Sequence, residues 1–298
     1  MERIVIIGAS GRLGKALLRS LAGRFEVFPV DREAMDLGDK RSIADCLEPL
    51  EYAQVLVPAA LTGVDYCETH EAEAFAVNGE APGEIARISQ EKGARVIHFS
   101  TDFVFDGEKD GPYVEDDEVA PLSIYGASKL EGENRVLGES GANLVLRLAW
   151  VFGPDRAGFP EWIVGLARDN KDLGLPGDKV GSPTFTPDVA EWVKEFLPGG
   201  RAAREGGVFH LSNSGSCSWA EWGRKCLEEA VRHGSELRTT EISDSKLDEV
   251  EAFVAKRPRN SALDHGKFVQ KTGIVPRPWS DAVMTHFQAD GVCPADQI

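Results

Sequence analysis

Long hydrophobic runs are missing from this chain of 298 residues. The opening MERIVIIGASGRLG holds an apolar stretch of only four residues between an arginine and a glycine. That is too short for the hydrophobic part of a secretory signal, and no later run approaches the ~18 residues of a membrane-spanning helix. The sequence therefore predicts a cytoplasmic globular protein with no membrane partner. Cysteine is sparse as well. Cys46, Cys67, Cys217, Cys226 and Cys293 stand at unrelated spacings without a CxxC pair, which argues against a disulfide framework and against a zinc site, so no metal is expected. Positive charge is the third shortage. With 33 Lys and Arg against 49 Asp and Glu, the net charge of −16 repels nucleic acid, and any anionic ligand must be caught by backbone amides or a local cluster of cations.

What is present reads as alternating strands and helices. RIVII (3–7) is a short β-branched run of the kind buried on both faces of a parallel sheet, and a glycine loop follows it at once. Leu13, Leu17, Leu18 and Leu21 then form a helical stripe that closes near Gly23. The pattern continues with a strand at 25–30, a helix around 40–50, a strand at 54–60, a long helix at about 72–92 and a strand at 94–100. A further helix near Tyr125 and one buried strand over 143–153 complete the series. Such alternation predicts an α/β fold with a Rossmann-type doubly wound parallel sheet. After Gly153 glycine and proline become frequent, and a smaller interwoven region is expected. The division predicted is 1–150 for coenzyme binding, with a returning segment near 183–212, and 151–298 mainly for substrate. Ser218 and Glu221 have capping-box spacing, and the polar C-terminus reads as a frayed end.

Three constellations carry chemistry. Gly8, Gly11 and Gly14 lie between a strand and a helix, where a tight turn, a close backbone approach and free helix amides receive a pyrophosphate. Asp31 follows at the end of the second strand, 17 residues after Gly14, placed to accept from both hydroxyls of an adenosine ribose. That aspartate favours NADH, whereas its neighbour Arg32 suits the 2′-phosphate of NADPH. Asp36 and Leu37 are candidate adenine contacts. In SIYGASKLEGE (123–133), Tyr125 stands one helical turn before Lys129, so both side chains share a face. STDFVFDG puts Ser100 and Thr101 at the carboxyl end of a central strand, the edge where open α/β sheets hold ligands. A phenol near an ammonium is a tuned proton donor, because the positive charge favours the phenolate and lowers a pKa near ~10. Thr101 is expected to donate to the carbonyl oxygen. His98 reads as a core histidine, and Trp219 and Trp222 as packing.

The ordering of Thr101, Tyr125 and Lys129 resembles an extended short-chain dehydrogenase/reductase. LTGVDYCETHEAEAFAVN (61–78), STDFVFDGEKDGPYVEDD (100–117), YGASKLEGE (125–133), RLAWVFG (147–153), VGSPTFTPDVA (180–190), GVFHLSN with SWAEW (207–222) and RPRNSALD (257–264) are similar to dTDP-4-dehydrorhamnose reductases over nearly the whole chain. The resemblance implies a catalytic set of Thr101, Tyr125 and Lys129. It adds Ser10, Arg12, Leu13, Ala59 and Ala60 to the coenzyme contacts, and Thr62, Val64, Asp102, Phe103 and Trp150 to the substrate contacts. It implies reduction by NADH or NADPH of the 4-keto group of a nucleotide-linked deoxysugar, dTDP-4-dehydro-L-rhamnose first among them, by a monomer or homodimer. Another nucleotide 4-keto sugar, or a silent subunit like the regulatory partner of methionine adenosyltransferase, stays open. Departures are Phe103, Val57 and Leu61, where the family has tyrosine, asparagine and tyrosine, and Ala16, where some members carry a glutamate that serves a metal-bridged dimer. For the substrate diphosphate, AKRPRNS offers Lys256, Arg257 and Arg259, the densest cationic cluster beyond the sheet.

Overall fold

In a computed structural model, residues 2–239 and 241–288 are described; Cys293 and the expected frayed end lie outside them. The core sheet uses β1 (Arg3–Ile7), β2 (Glu26–Val30), β3 (Gln54–Val57), β4 (Arg95–Thr101), β5 (Leu144–Leu148) and a sixth strand, Gly207–His210. Its spatial order is Gly207–His210, β5, β4, β3, β1, β2, with every pairing parallel. The chain steps outward from β1 to β2 and then returns across β1 to β3. That reversal opens a crevice between β1 and β3 at the carboxyl ends of the strands. Pro29 is tolerated within β2 because β2 is an edge strand.

The alternation along each strand sorts the core into two layers. Ile4, Ile6, Leu56, Ile97, Leu144 and Leu146 pack with Leu13, Leu17 and Leu21 of the helix Arg12–Leu21 and with Val189, Val193 and Phe196. Val5, Ile7, Val55, Val57 and Val96 point the other way, onto Ile43, Leu47, Ile85, Ile88 and Val136. At roughly 1.5–3 kcal/mol for each large apolar side chain fully buried, this two-sided packing dominates the stability of the sheet. A separate cluster of Phe152, Ile163, Val164, Phe185, Trp222, Leu227 and Val283 gathers the helices Phe159–Asp169, Trp219–Arg232 and Trp279–Gln288. Ser218 caps the second of these: its Oγ accepts from Glu221 N at 3.1 Å and Glu221 Oε2 accepts from Ser218 N at 2.7 Å.

Two expectations need correction, and two local features were not foreseen. The run 143–153 is not one strand: β5 ends at Leu148, Trp150 takes φ 44°, and Val151–Phe152 pairs instead with Thr184–Phe185. The strand expected to reach residue 60 ends at Val57, and 58–61 form a loop. Between them lies an unforeseen helix, Val64–Thr69. The long helix from Glu71 to Glu91 passes through a π-helical stretch, Phe75–Glu80. That wider turn places Asn78, whose Oδ1 accepts from Leu61 N at 2.8 Å while its Nδ2 donates to Leu61 O at 3.0 Å, so the bulge fixes the loop beside the crevice. Among the described residues no helix is long and apolar enough to cross a membrane.

Candidate active site

The crevice is a cleft of about 1050 Å³ lined by the glycine loop, the ends of β2, β3 and β4, and the start of the Tyr125 helix. Gly8 leaves β1 at φ +89°, and a Cβ there would lie 2.8 Å from Ala59 Cβ. Only glycine fits that conformation and that approach. Gly11 is the N-cap of Arg12–Leu21 and supplies no side-chain cap, so the first amides of the helix face the cleft without partners from a cap. Gly14 does not line the cleft: its missing Cβ would stand 2.1 Å from Gly8 O, so its task is to let the helix pack onto the loop. Free amides, the dipole of the helix and the space left by absent side chains fit a dinucleotide pyrophosphate.

Ser10, Arg12, Leu13, Asp31, Arg32, Asp36, Leu37, Ala59 and Ala60 all line this end. Asp31 is tied to the loop, its Oδ1 accepting from Ser10 N at 2.7 Å. Arg12 also serves the fold. Its guanidinium donates to the carbonyls of Val151 (2.8 Å), Arg156 (3.1 Å) and Ala157 (2.6 Å), clamping the loop after Trp150 to the helix Arg12–Leu21.

At the other end, β4 delivers Thr101 and the helix Ile124–Glu139 delivers Tyr125 and Lys129, all three lining the cleft. Ser123 caps the helix by accepting from Gly126 N at 3.2 Å. Two glycines allow the close approach: a Cβ on Gly126 would meet Phe103 O at 2.2 Å, and one on Gly132 would meet Asn78 O at 2.2 Å. Lys129 is buried, and its ammonium donates to Phe99 O at 2.7 Å and faces His98 Nε2 at 3.2 Å. Burial lowers its pKa to about 8, against the opposing pull of Glu133. Glu133 is itself locked in a buried ion pair with Arg147 at 2.7 Å. His98 is thus a core histidine as expected, but it also seats the lysine; its Nδ1 has no partner and burial keeps the ring neutral.

One electrostatic expectation fails here. The Tyr125 phenol is pushed up, not down, because burial outweighs everything else and Asp102 adds to it, with Thr101 pulling the other way. Lys129 has turned to the strand and is not among the groups acting on the phenol. Thr101 Oγ1 donates to Asp102 Oδ1 at 3.0 Å and accepts from Phe103 N at 3.2 Å.

Thr62, Val64, Asp102, Phe103 and Trp150 also line the cleft. Trp150 holds a left-handed backbone that a bulky residue adopts only when its surroundings impose it. Its ring stacks on Trp222 at 5.4 Å, and the bare Cα of Gly181 makes room, since a Cβ there would stand 2.2 Å from the indole. Arg257 and Arg259 lie outside the cleft lining. Arg257 pairs with Asp65 at 2.6 Å, holding that carboxyl down to about 2, and lies 3.5 Å over the Phe253 ring. Arg259 pairs with Asp248 at 2.5 Å at the surface. One buried cation escaped the sequence reading altogether: Lys179, in a glycine-rich loop whose composition signals only a turn.

Comparison with known proteins gives these surroundings a family. A model described as the RmlD substrate binding domain matches residues 1–291. The spore coat polysaccharide biosynthesis protein SpsK of Bacillus subtilis is 34% identical over 291 residues, covering 97% of this chain and 98% of its own. A dTDP-4-dehydrorhamnose reductase of Aggregatibacter actinomycetemcomitans is 32% identical, covering 95% and 97%. A crystal structure of a dTDP-4-dehydrorhamnose reductase from Bacillus anthracis in complex with NADP superposes with a TM-score of 0.87 at 28% identity, covering 96% and 99%. With the cleft and its residues in place, the chain belongs to the dTDP-4-dehydrorhamnose reductase family of extended short-chain dehydrogenase/reductases.

Proposed function

We propose that this NAD(P)-dependent oxidoreductase reduces the 4-keto group of a nucleotide-linked deoxysugar, with dTDP-4-dehydro-L-rhamnose as the substrate and dTDP-L-rhamnose as the product. The observation that carries the reading is a single cleft that joins the uncapped helix amides behind Gly8 and Gly11 to Thr101, Tyr125 and Trp150. A reduced nicotinamide coenzyme bound at the glycine loop would supply the hydride. Asp31 and Arg32 would hold its adenosine ribose and Lys129 its nicotinamide ribose. Tyr125 gives its proton to the nascent alkoxide. Burial keeps the phenol protonated until that moment, so the donor is loaded over the whole physiological range. The ammonium of Lys129, still charged below about pH 8, would have to leave Phe99 O to act on the phenol, and would then favour the negative charge that passes to the phenol oxygen.

Residues 1–150, with the returning strand inside 183–212, hold the coenzyme in this reading, and 151–298 hold the substrate. The same strand, Gly207–His210, closes the sheet beside β5, which supports the division. Arg257 remains our candidate for the substrate diphosphate: its partner Asp65 follows Val64 of the cleft wall, and Lys256 and Arg259 flank it. A cytoplasmic monomer or homodimer suits the reduced coenzyme it would consume. The test is turnover of a panel of nucleotide 4-keto sugars with NADH and NADPH. Reduction of the dTDP-linked sugar at rates above the others supports the assignment, and a preference for a differently linked nucleotide or sugar overturns it.

A further inference from the structure

Against the wall of the cleft lies a buried histidine for which the reaction above has no use. His98 belongs to β4 and is 0% exposed. Its Nε2 stands 3.2 Å from Lys129 Nζ, and the same ammonium donates to Phe99 O at 2.7 Å. An ammonium can only donate, so Nε2 is the accepting nitrogen and the proton of the neutral ring is on Nδ1. That Nδ1 is buried and has no partner among the described residues. An unpaired buried N–H destabilises a fold, and a leucine or phenylalanine would fill this strand position without one. The ring is therefore kept for what Nε2 does. The facing helix makes room for it: Gly132 has no side chain, and a Cβ there would lie 3.4 Å from His98 Nε2 as well as 2.2 Å from Asn78 O.

Resting on the reading of the reaction given above, we propose that His98 is a positioning residue: its neutral imidazole accepts from Lys129 at Nε2 and, together with Phe99 O, takes two of the three N–H donors, so that the ammonium is fixed at the cleft wall with the third donor left for the coenzyme. Both acceptors come from adjacent residues of one strand, whereas Tyr125 shares the helix of the lysine, so β4 sets where the charge stands relative to the phenol. A neutral acceptor favours the charged form of a buried amine without cancelling its charge. The other charged groups nearby are few. Glu133, one turn further along the same helix, favours the ammonium, but it is itself bound to Arg147 of β5 at 2.7 Å. Asp102, just past β4, and Cys67, in the helix Val64–Thr69, act on Tyr125, and Asn78 of the π-helical stretch is neutral. Of the two acceptors on Nζ, the backbone carbonyl survives any substitution and the imidazole does not, so the two can be told apart.

Three substitutions separate this role from packing. His98→Gln carries an amide oxygen as far out as Nε2, His98→Asn carries one only as far as Nδ1, and His98→Leu carries none; should the leucine variant fold poorly, the asparagine variant supplies the comparison. The charge on Lys129 is read without substrate or coenzyme, by NMR titration of isotope-labelled lysine side chains assigned with Lys129→Met. The wild type should titrate near pH 8. His98→Leu and His98→Asn should move that titration to lower pH by about one unit or more, and His98→Gln should restore it to within about half a unit. With a nucleotide 4-keto sugar as substrate, the alkaline decline of kcat should move in step. The Kd of the reduced coenzyme, read by fluorescence titration, should rise roughly tenfold in the leucine and asparagine variants and stay near wild type in the glutamine one. A Lys129 titration unmoved in all three variants overturns the proposal and leaves His98 a packing residue, visible only as a change in Tm. A glutamine variant that behaves like the leucine one overturns Nε2 as the working atom. A wild type that reduces no 4-keto sugar overturns the reaction itself, while the lysine titration still decides whether His98 governs Lys129.

Discussion

The two ends of the cleft are built from different material. The coenzyme end is mostly backbone: Gly8 at positive φ, an uncapped helix start and the short loops after β2 and β3, all contributed within the first sixty residues. The substrate end is mostly side chains, brought from Val64, Thr101, Tyr125, Trp150 and, just behind the wall, Lys179 and Arg257. Backbone sites are dictated locally, by where glycine permits a turn and a helix exposes its amides. Side-chain sites depend on which distant segments the fold brings together, and their charges answer to burial. One end is therefore tuned by shape and the other by electrostatics.

The largest effect should come from the electrostatic end. Tyr125→Phe removes the proton donor and almost no volume, so kcat should fall by about 10²–10⁴-fold while coenzyme affinity, read by fluorescence titration, stays within about twofold. A variant that keeps a third or more of wild-type kcat would remove Tyr125 from the role and blur the contrast between the two ends.

Lys129→Met sharpens the contrast by separating activity from stability. The folded-state pKa of Lys129 is about 8, below the ~10.4 of an unfolded lysine. Between those values the unfolded chain binds the proton and the native one does not, so stability rises with pH across that window and the burial penalty is fully present below it. The methionine variant should lose that slope, melt higher at pH 7 and turn over at least about tenfold more slowly. In wild type, kcat should decline as pH rises through about 8, when the ammonium discharges. A variant that melts lower at pH 7 would mean that its bonds to Phe99 O and His98 outweigh desolvation.

Legibility followed the same divide. RIVII and the glycine loop declared a strand, a turn and a helix, because periodicity and glycine act over a few residues. The existence of β1, β3, β4 and β5 followed from apolar runs that had to be covered on both faces. Trp150 was readable as an aromatic near the site, but not its φ of 44°, which is imposed by packing against Trp222 and Gly181 rather than by its neighbours in sequence. The π-helical stretch was hidden too, since it goes with a contact of Asn78 with Leu61, 17 residues away, that no local pattern announces. Spacing placed Tyr125 beside Lys129 on one face, yet could not reveal that burial raises the phenol or that Lys129 prefers the strand carbonyl of Phe99. Lys179 left no signal, because a lysine in GDKVG looks like any solvated turn until Phe103, Trp150 and Trp219 close around it.

At the outer limit of the substrate end, Arg257→Ala should raise KM for the nucleotide sugar by the loss of a charge-assisted bond, roughly 1.5–3 kcal/mol or about ten- to a hundredfold, and leave KM for the coenzyme unchanged. Because Arg257 is also the partner of Asp65, Tm should fall as well. Unaltered substrate KM with only the drop in Tm would make the pair structural and move the diphosphate elsewhere. Arg259→Ala, which breaks an exposed pair with Asp248, should melt within about a degree of wild type and so isolates the binding effect.

The smallest effect belongs to the backbone end, where a single side-chain choice is superposed on a loop that accepts either coenzyme. Asp31 and Arg32 both line the cleft beside the glycine loop. Asp31 repels a 2′-phosphate, and its Oδ1 is already pinned to Ser10 N, so it cannot swing aside without releasing the loop. Arg32 attracts the same phosphate from the next position. The two nearly cancel, and kcat/KM for NADH should equal or exceed that for NADPH by less than about tenfold, a difference of at most ~1.4 kcal/mol. Asp31→Asn keeps the contact with Ser10 and removes the repulsion, so it should shift the ratio toward NADPH by about tenfold. A wild type that already prefers NADPH tenfold would show that Arg32 outweighs Asp31, and that electrostatics governs the backbone end too.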